Sequence, residues 1–111
     1  MFKIEVNTSK KQVLITVGGF FKEEEGANFL KDYNTKMKSI TPSTYTLALN
    51  SEELLASRPD MLPIMKQCMT LYKETGFKEI ISNLPTSKIS EIQLKKAIDE
   101  VGVKINFVKN I

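Results

Sequence analysis

The first half of the chain shows strand-like and helix-like patterns of hydrophobic residues in turn. Residues 2–6 (FKIEV) alternate apolar and charged side chains, which predicts a half-buried β-strand. After a polar turn, the β-branched run 13–17 (VLITV) predicts a second strand that pairs with the first as a hairpin and ends at Gly18-Gly19. Residues 44–49 (TYTLAL) carry no charge on either face, so we expect a third strand in the middle of a sheet.

Helical periodicity predicts a first helix over residues 22–40, with glutamates in its first turn and lysines near its last. Pro42 is expected to stop this helix. Its predicted apolar stripe consists of Ala27, Leu30, Tyr33 or Asn34, Met37 and Ile40, with Phe29 beside it.

A second helix is predicted to begin with Asp60 as its N-cap and to end at Gly76 in a left-handed cap. Pro63 then falls in the first turn, where a missing N–H is tolerated. Before this helix, Asn50 and Glu53 have a capping-box spacing that predicts a short helical turn. The apolar stripe of the second helix is Met61, Ile64, Met65, Cys68 and Tyr72, joined by Leu71.

The last helix has the strongest local signature in the chain. Ser90 is its predicted N-cap, with Gln93 three residues later. Ile89 and Leu94 have the spacing of a hydrophobic staple, and Gly102 is expected to cap the end.

Two more strands are predicted, over residues 78–83 and 104–108. Each follows the same succession of a helix end, a glycine, an apolar residue and a lysine. Short loops of this kind return the chain to the same sheet, and the right-handed crossover rule makes strands three, four and five parallel. We therefore predict an α/β fold that forms one domain over residues 1–111: a mixed five-stranded sheet with an N-terminal β-hairpin, then βα crossover units, with helices packed on it.

Composition excludes several kinds of chemistry. The 111 residues include no histidine and a single cysteine, Cys68, which excludes histidine catalysis, Cys/His zinc sites and an intrachain disulfide. The net charge of +3 comes from lysines interspersed with acidic residues, and Arg58 is the only arginine, so no nucleic-acid partner is predicted. No cofactor or metal is predicted either. No stretch approaches the ~20 apolar residues of a membrane span, and one unpaired cysteine without a signal peptide indicates the cytoplasm.

The candidate site lies where the parallel strands end, because open α/β sheets place their sites at that edge. Ser57 precedes the second helix, and the first N–H groups of that helix could hold an anion near it. Ser57 is therefore a candidate phosphorylation site, and the alternative is that it is an ordinary turn serine. Arg58 could meet an anionic partner or remain solvated. Of Phe20 and Phe21, one is expected in the core and the other on the surface as an anchor. The predicted partner-binding residues are Ser57, Arg58, Asp60 and Phe21.

The order and spacing of these elements resemble the STAS domain, the SpoIIAA-like fold of bacterial anti-sigma-factor antagonists. The likeness covers nearly the whole chain and includes Gly18-Gly19 before the first helix and Ser90 at the last. In that family an Asp-Ser-Ser-Gly motif after strand three carries the phosphorylated second serine. Residues 56–59 (ASRP) lie there by spacing, so Ser57 matches the first serine and Arg58 takes the acceptor position. The resemblance thus implies a divergent interaction module without the standard serine switch.

Three functions follow as hypotheses. The first is a non-enzymatic module that binds another protein, such as an anti-sigma-factor-like regulator, with no stable membrane insertion and with homodimerisation left open. The alternative is a domain that binds a small apolar ligand or lipid in a pocket lined by Met61, Met65, Met69 and aromatic residues. An enzyme that uses lysine, tyrosine, serine and carboxylates is the least favoured hypothesis, because no convergent pair is visible in the sequence.

Overall fold

The computed structural model describes residues 2–19 and 23–111, which form an alternation of strands and helices. The elements are β1 (Phe2–Asn7), β2 (Gln12–Val17), α1 (Glu23–Met37), β3 (Thr46–Asn50), α2 (Leu62–Thr75), β4 (Glu79–Ser82), α3 (Lys88–Val101) and β5 (Asn106–Phe107). Short 3-10 helices, Pro42–Thr44 and Pro59–Met61, precede β3 and α2. The predicted α/β class is confirmed, and the predicted strands all form within a few residues of their expected bounds.

The five strands lie in the sheet in sequence order, so β3 is central as predicted. β1 pairs with β2 antiparallel, and each later neighbouring pair is parallel. Three successive crossovers therefore step across the sheet in one direction. Right-handed crossovers that all step the same way leave their helices on the same face of the sheet.

The strand register shows which face the helices cover. Ile4 lies opposite Ile15, which lies opposite Leu49, and all three are buried in one core. The helix residues in that core are Phe29 and Tyr33 of α1, Met69 and Tyr72 of α2, and Leu94, Ala97 and Ile98 of α3. On the other face, Leu14 and Ile81 are only half-buried. The described residues thus form two layers, one of strands and one of helices.

The buried face of α1 differs from the predicted stripe. Phe29 and Tyr33 are each 1% exposed, whereas Leu30 is 40% exposed and Ala27 is also exposed. The Phe29 ring packs against Phe2 at 5.4 Å and Tyr33 at 5.8 Å, measured between ring centroids. Burying a large aromatic ring gives a greater gain in free energy than burying one leucine or alanine side chain. The aromatic contacts therefore determine which face of the helix is turned toward the sheet. The helix also ends at Met37, and Pro42 begins the following 3-10 helix.

The predicted start of α3 was wrong by one turn. Ser87 is the N-cap, and its Oγ accepts a hydrogen bond from the Ser90 amide at 3.3 Å. Ser90 lies inside the first turn, fully buried. Among the described residues its Oγ is the buried side-chain oxygen without a hydrogen-bond partner. Ile89 is 60% exposed, so it forms no staple with Leu94.

The predicted start of α2 was also wrong. Met61 occupies the N-cap position without a side-chain hydrogen bond, and Asp60 lies in the preceding 3-10 helix. β3 ends at Asn50, and the chain then makes a single hydrogen-bonded turn, in which the Leu54 amide donates to the Ser51 carbonyl at 3.1 Å, without continuing into a helix. The left-handed glycine caps are confirmed, with φ of 79° at Gly76 and 74° at Gly102.

Candidate functional site

The segment that joins β3 to α2, residues 51–58, crosses the edge of the sheet where the parallel strands end. We call it the β3–α2 segment. The Gly19 amide donates to the Glu53 carbonyl at 2.9 Å, and the Leu55 amide donates back to the Gly19 carbonyl at 3.1 Å. On the other side, the Thr86 amide donates to the Glu52 carbonyl at 3.1 Å. The segment is therefore held both by the chain that follows β2 and by the chain that follows β4.

A buried asparagine positions the first residues of this segment. Asn83, which follows β4, accepts a hydrogen bond at Oδ1 from the Ser51 amide at 2.7 Å. Its Nδ2 donates to Asn50 Oδ1 at 2.9 Å. Asn83 and Ser51 are buried, and these bonds satisfy polar groups that would otherwise be costly to remove from water. The turn of the chain away from β3 is thus fixed by a side chain from the neighbouring strand end.

A glutamine from α3 holds the far end of the segment. The Ser57 amide donates to Gln93 Oε1 at 2.8 Å, and Gln93 Nε2 donates to the Ser57 carbonyl at 3.0 Å. Sequence reasoning placed Gln93 in the capping pattern of α3 and missed this contact. A polar residue one turn after a helix start, on the side that faces a loop, was the only local signal for it.

An apolar cavity of about 60 Å³ lies beneath the β3–α2 segment. Its lining includes Met61, Met65 and Met69 of α2, Phe29 of α1, Tyr72 and Ser57. No charged side chain lines it within the part of the chain that the structure describes. The structure therefore brings together the three methionines and the aromatic residues that the sequence associated with a pocket.

The ionisable groups at this cavity are held in their neutral forms. Burial raises the pKa of the Cys68 thiol from 9.0 to about 11. Burial also raises the pKa of Tyr72 well above its ordinary value. Tyr33 does not line the cavity but packs against Tyr72, and burial raises its pKa from 10.0 to about 12. A protonated thiol is a poor nucleophile and a poor metal ligand, so burial lowers the reactivity of Cys68 at neutral pH.

The predicted partner-binding residues lie in different surroundings. Ser57 is half-buried against the cavity, while Arg58 and Asp60 are exposed and bond to each other. Arg58 Nη2 and Nε donate to the two Asp60 carboxylate oxygens at 2.8 and 3.2 Å. The hydrogen bonds within this pair lower the pKa of Asp60 and raise that of Arg58. Phe21 lies outside the described residues.

The start of α2 offers few free donors to an anion. The Ser57 amide is bonded to Gln93, and the Met61 amide donates to the Arg58 carbonyl at 2.9 Å. Pro59 and Pro63 have no N–H. The Arg58 charge is also balanced by Asp60. The geometry therefore favours contacts made by shape and apolar surface here rather than anion capture.

Four large apolar side chains are exposed near this site. Leu55 of the β3–α2 segment is 42% exposed, and Leu84 between β4 and α3 is 39% exposed. Ile89 and Ile92, one turn apart on α3, are 60% and 57% exposed. We call these four residues the apolar edge group. They lie on three pieces of chain that the Gln93–Ser57 and Thr86–Glu52 hydrogen bonds join.

A scan against protein-family models and a search of the curated proteins found no match to this chain. The likeness to the STAS domain accordingly stays a prediction. Within residues 2–19 and 23–111, no helix combines the length and apolar character needed to cross a membrane. In the same residues, no three cysteine, aspartate or glutamate side chains are grouped as metal ligands.

Proposed function

We propose that this chain is a non-enzymatic protein-binding module that binds its partner through the apolar edge group. The exposure of Leu55, Leu84, Ile89 and Ile92 is the observation that supports this proposal most directly. A single exposed leucine is ordinary, but several large apolar side chains on adjoining elements are typical of an interaction surface. Burying such side chains against a partner supplies the main favourable term in protein association.

The hydrogen bonds that hold this surface in place support the same proposal. Gln93 fixes the β3–α2 segment to α3, and Thr86 fixes the β4–α3 loop to Glu52. A surface that is ordered before binding loses less conformational entropy when the partner arrives. Ser57, Arg58 and Asp60 adjoin Leu55 in sequence, so we assign them to the polar rim of the interface.

The resemblance to the STAS domain favours the same edge, since the switch motif of that family falls by spacing on residues 56–59. Arg58 at the acceptor position favours a partner that binds without phosphorylation, such as an anti-sigma-factor-like regulator. We place the module in the cytoplasm on the basis of its single unpaired cysteine, and we expect neither nucleic acid nor lipid bilayer as partner.

The test compares partner binding by the wild-type protein with binding by the double variant Ile89→Asp, Ile92→Asp. The control is Leu30→Asp on α1, a side chain that is 40% exposed but lies on a different helix. Affinity purification from the cells that express the chain, quantified by mass spectrometry, should show a partner whose recovery falls about tenfold or more in the double variant. The control should retain it. The proposal would be overturned if the double variant and the control recovered equal amounts of every partner while both variants unfolded like the wild-type protein.

A further inference from the structure

We propose that the cavity beneath the β3–α2 segment binds a small uncharged apolar molecule, up to the size of one aromatic ring. This site is separate from the apolar edge group: the cavity lies between the sheet and α2, whereas the edge group faces solvent. The inference therefore does not depend on the proposed protein partner.

The chemistry of the walls defines the class of ligand. Phe29, Leu49 and Met69 are buried apolar residues of three different elements that meet at this cavity. An ionic group placed among them would lose its hydration with no charged partner to replace it. The lining also includes the polar residues Ser51 and Ser57, but no charged one, which again favours an uncharged ligand.

The size of the cavity sets the upper limit on the ligand. About 60 Å³ is more than the ~10–15 Å³ that one water molecule needs, and less than the ~150 Å³ cavity that binds benzene in an engineered protein. A benzene-sized ligand therefore needs additional volume, which movement of Met61 and Met65 can supply. Both residues are half-buried, and an unbranched methionine side chain rotates about three bonds. Both residues line the cavity and keep part of their surface exposed, so rearrangement of their side chains can widen the site.

The placement also agrees with ligand sites in other α/β folds. The cavity lies at the carboxyl ends of β2 and β3, between the sheet and the helices, where open parallel sheets bind small molecules. Unfilled apolar space reduces stability through lost packing contacts, so a ligand that restores those contacts binds favourably.

The experiment is a titration of the protein, labelled with ¹³C at its methionine methyl groups, with benzene up to its solubility limit. We expect saturable chemical-shift changes at Met61, Met65 and Met69. Met37 is an internal control, because it packs against the core from the end of α1 and does not line the cavity. No change at the three cavity methionines, or an equal change at Met37, would overturn the proposal.

A pair of variants tests the location independently. Cys68→Met adds side-chain volume at the cavity wall and should weaken benzene binding about tenfold or more, since the site would be partly filled. Met37→Leu should bind benzene with the wild-type affinity. Benzene affinity unchanged in a folded Cys68→Met protein would place the ligand elsewhere and refute the assignment. The wild-type titration decides the question if that variant does not fold.

Discussion

The side chain of Gln93 and the backbone of Ser57 bond in both directions, with the glutamine amide donating at 3.0 Å and accepting at 2.8 Å. The two residues are 36 positions apart in the chain. A primary amide has the same donor and acceptor groups as a peptide unit, so it satisfies the Ser57 backbone as a neighbouring strand would. This contact joins α3 to the segment that covers the cavity.

Replacement of Gln93 by alanine should loosen the β3–α2 segment and lower the free energy of unfolding by about 1–3 kcal/mol, because it leaves the Ser57 backbone groups without their partners. The measurement is chemical denaturation combined with hydrogen exchange at the Ser57 amide, which should become faster. Gln67→Ala, at an exposed position of α2, should change stability by no more than about 0.5 kcal/mol. Unchanged exchange at Ser57 in Gln93→Ala would show that the contact does not form in solution.

The two serines at the start of α3 give predictions of opposite sign. Ser87→Ala should destabilise the protein by about 1 kcal/mol, because it removes the N-cap oxygen that accepts from the Ser90 amide. Ser90→Ala should be neutral or stabilising by up to about 1 kcal/mol, because the buried Ser90 hydroxyl has no partner to lose. Thermal unfolding of both variants distinguishes the arrangements: if Ser90 were the cap, as its sequence context suggested, the order would be reversed.

Asn83→Ala should be among the most destabilising polar substitutions in the chain. It removes the acceptor for the buried Ser51 amide and the donor to Asn50 Oδ1, at a cost of about 2–4 kcal/mol for two lost bonds and one unpaired amide. Denaturant titration measures the loss. Asn106→Ala, which removes an exposed hydrogen bond to Glu79, is the control and should cost less than about 0.5 kcal/mol. Similar losses in the two variants would contradict the role given to Asn83.

Stability should fall in alkaline solution, because burial raises the pKa of Cys68 from 9.0 to about 11 in the folded protein. Above about pH 9 the unfolded chain releases this proton while the folded chain keeps it, so unfolding becomes easier by about 1.4 kcal/mol for each pH unit until the folded thiol also ionises. Below about pH 9 the thiol is protonated in both states, so its contribution to the stability of the folded protein is fully present. The pKa of Tyr33 is raised from 10.0 to about 12 in the folded protein, so this residue adds a second decline in stability that begins about one pH unit higher.

Urea denaturation between about pH 8.5 and 10.5 measures this effect. In Cys68→Ala the decline over that range should be smaller than in the wild type by about 2 kcal/mol, whatever the absolute stability of the variant. Parallel declines in the two proteins would mean that the thiol is not desolvated in the folded state.

Much of the architecture followed from local patterns. The hairpin, the central uncharged strand, the parallel order of the last three strands and the glycine caps at Gly76 and Gly102 agree with the structure. These features depend on hydrophobic period, on steric limits to backbone angles and on the handedness of crossovers, all of which act over a few residues or one crossover unit.

The candidate site could be predicted only in outline. The sequence associated three methionines, which do line the cavity, with a pocket, but it missed Asn83 and Gln93, which position the β3–α2 segment. A side-chain amide has no periodic signature, and its partner is set by which strands and helices become neighbours.

The sequence by itself determined the kinds of elements, their order and the lack of histidine, because periodicity and composition are properties of the linear chain. Tertiary structure decided that Phe29 rather than Leu30 is buried, that Ser87 rather than Ser90 caps α3, and that Gln93 reaches Ser57. Each of these outcomes depends on competition among contacts between residues distant in sequence, where the burial of a large ring or the satisfaction of a buried amide outweighs the local preference.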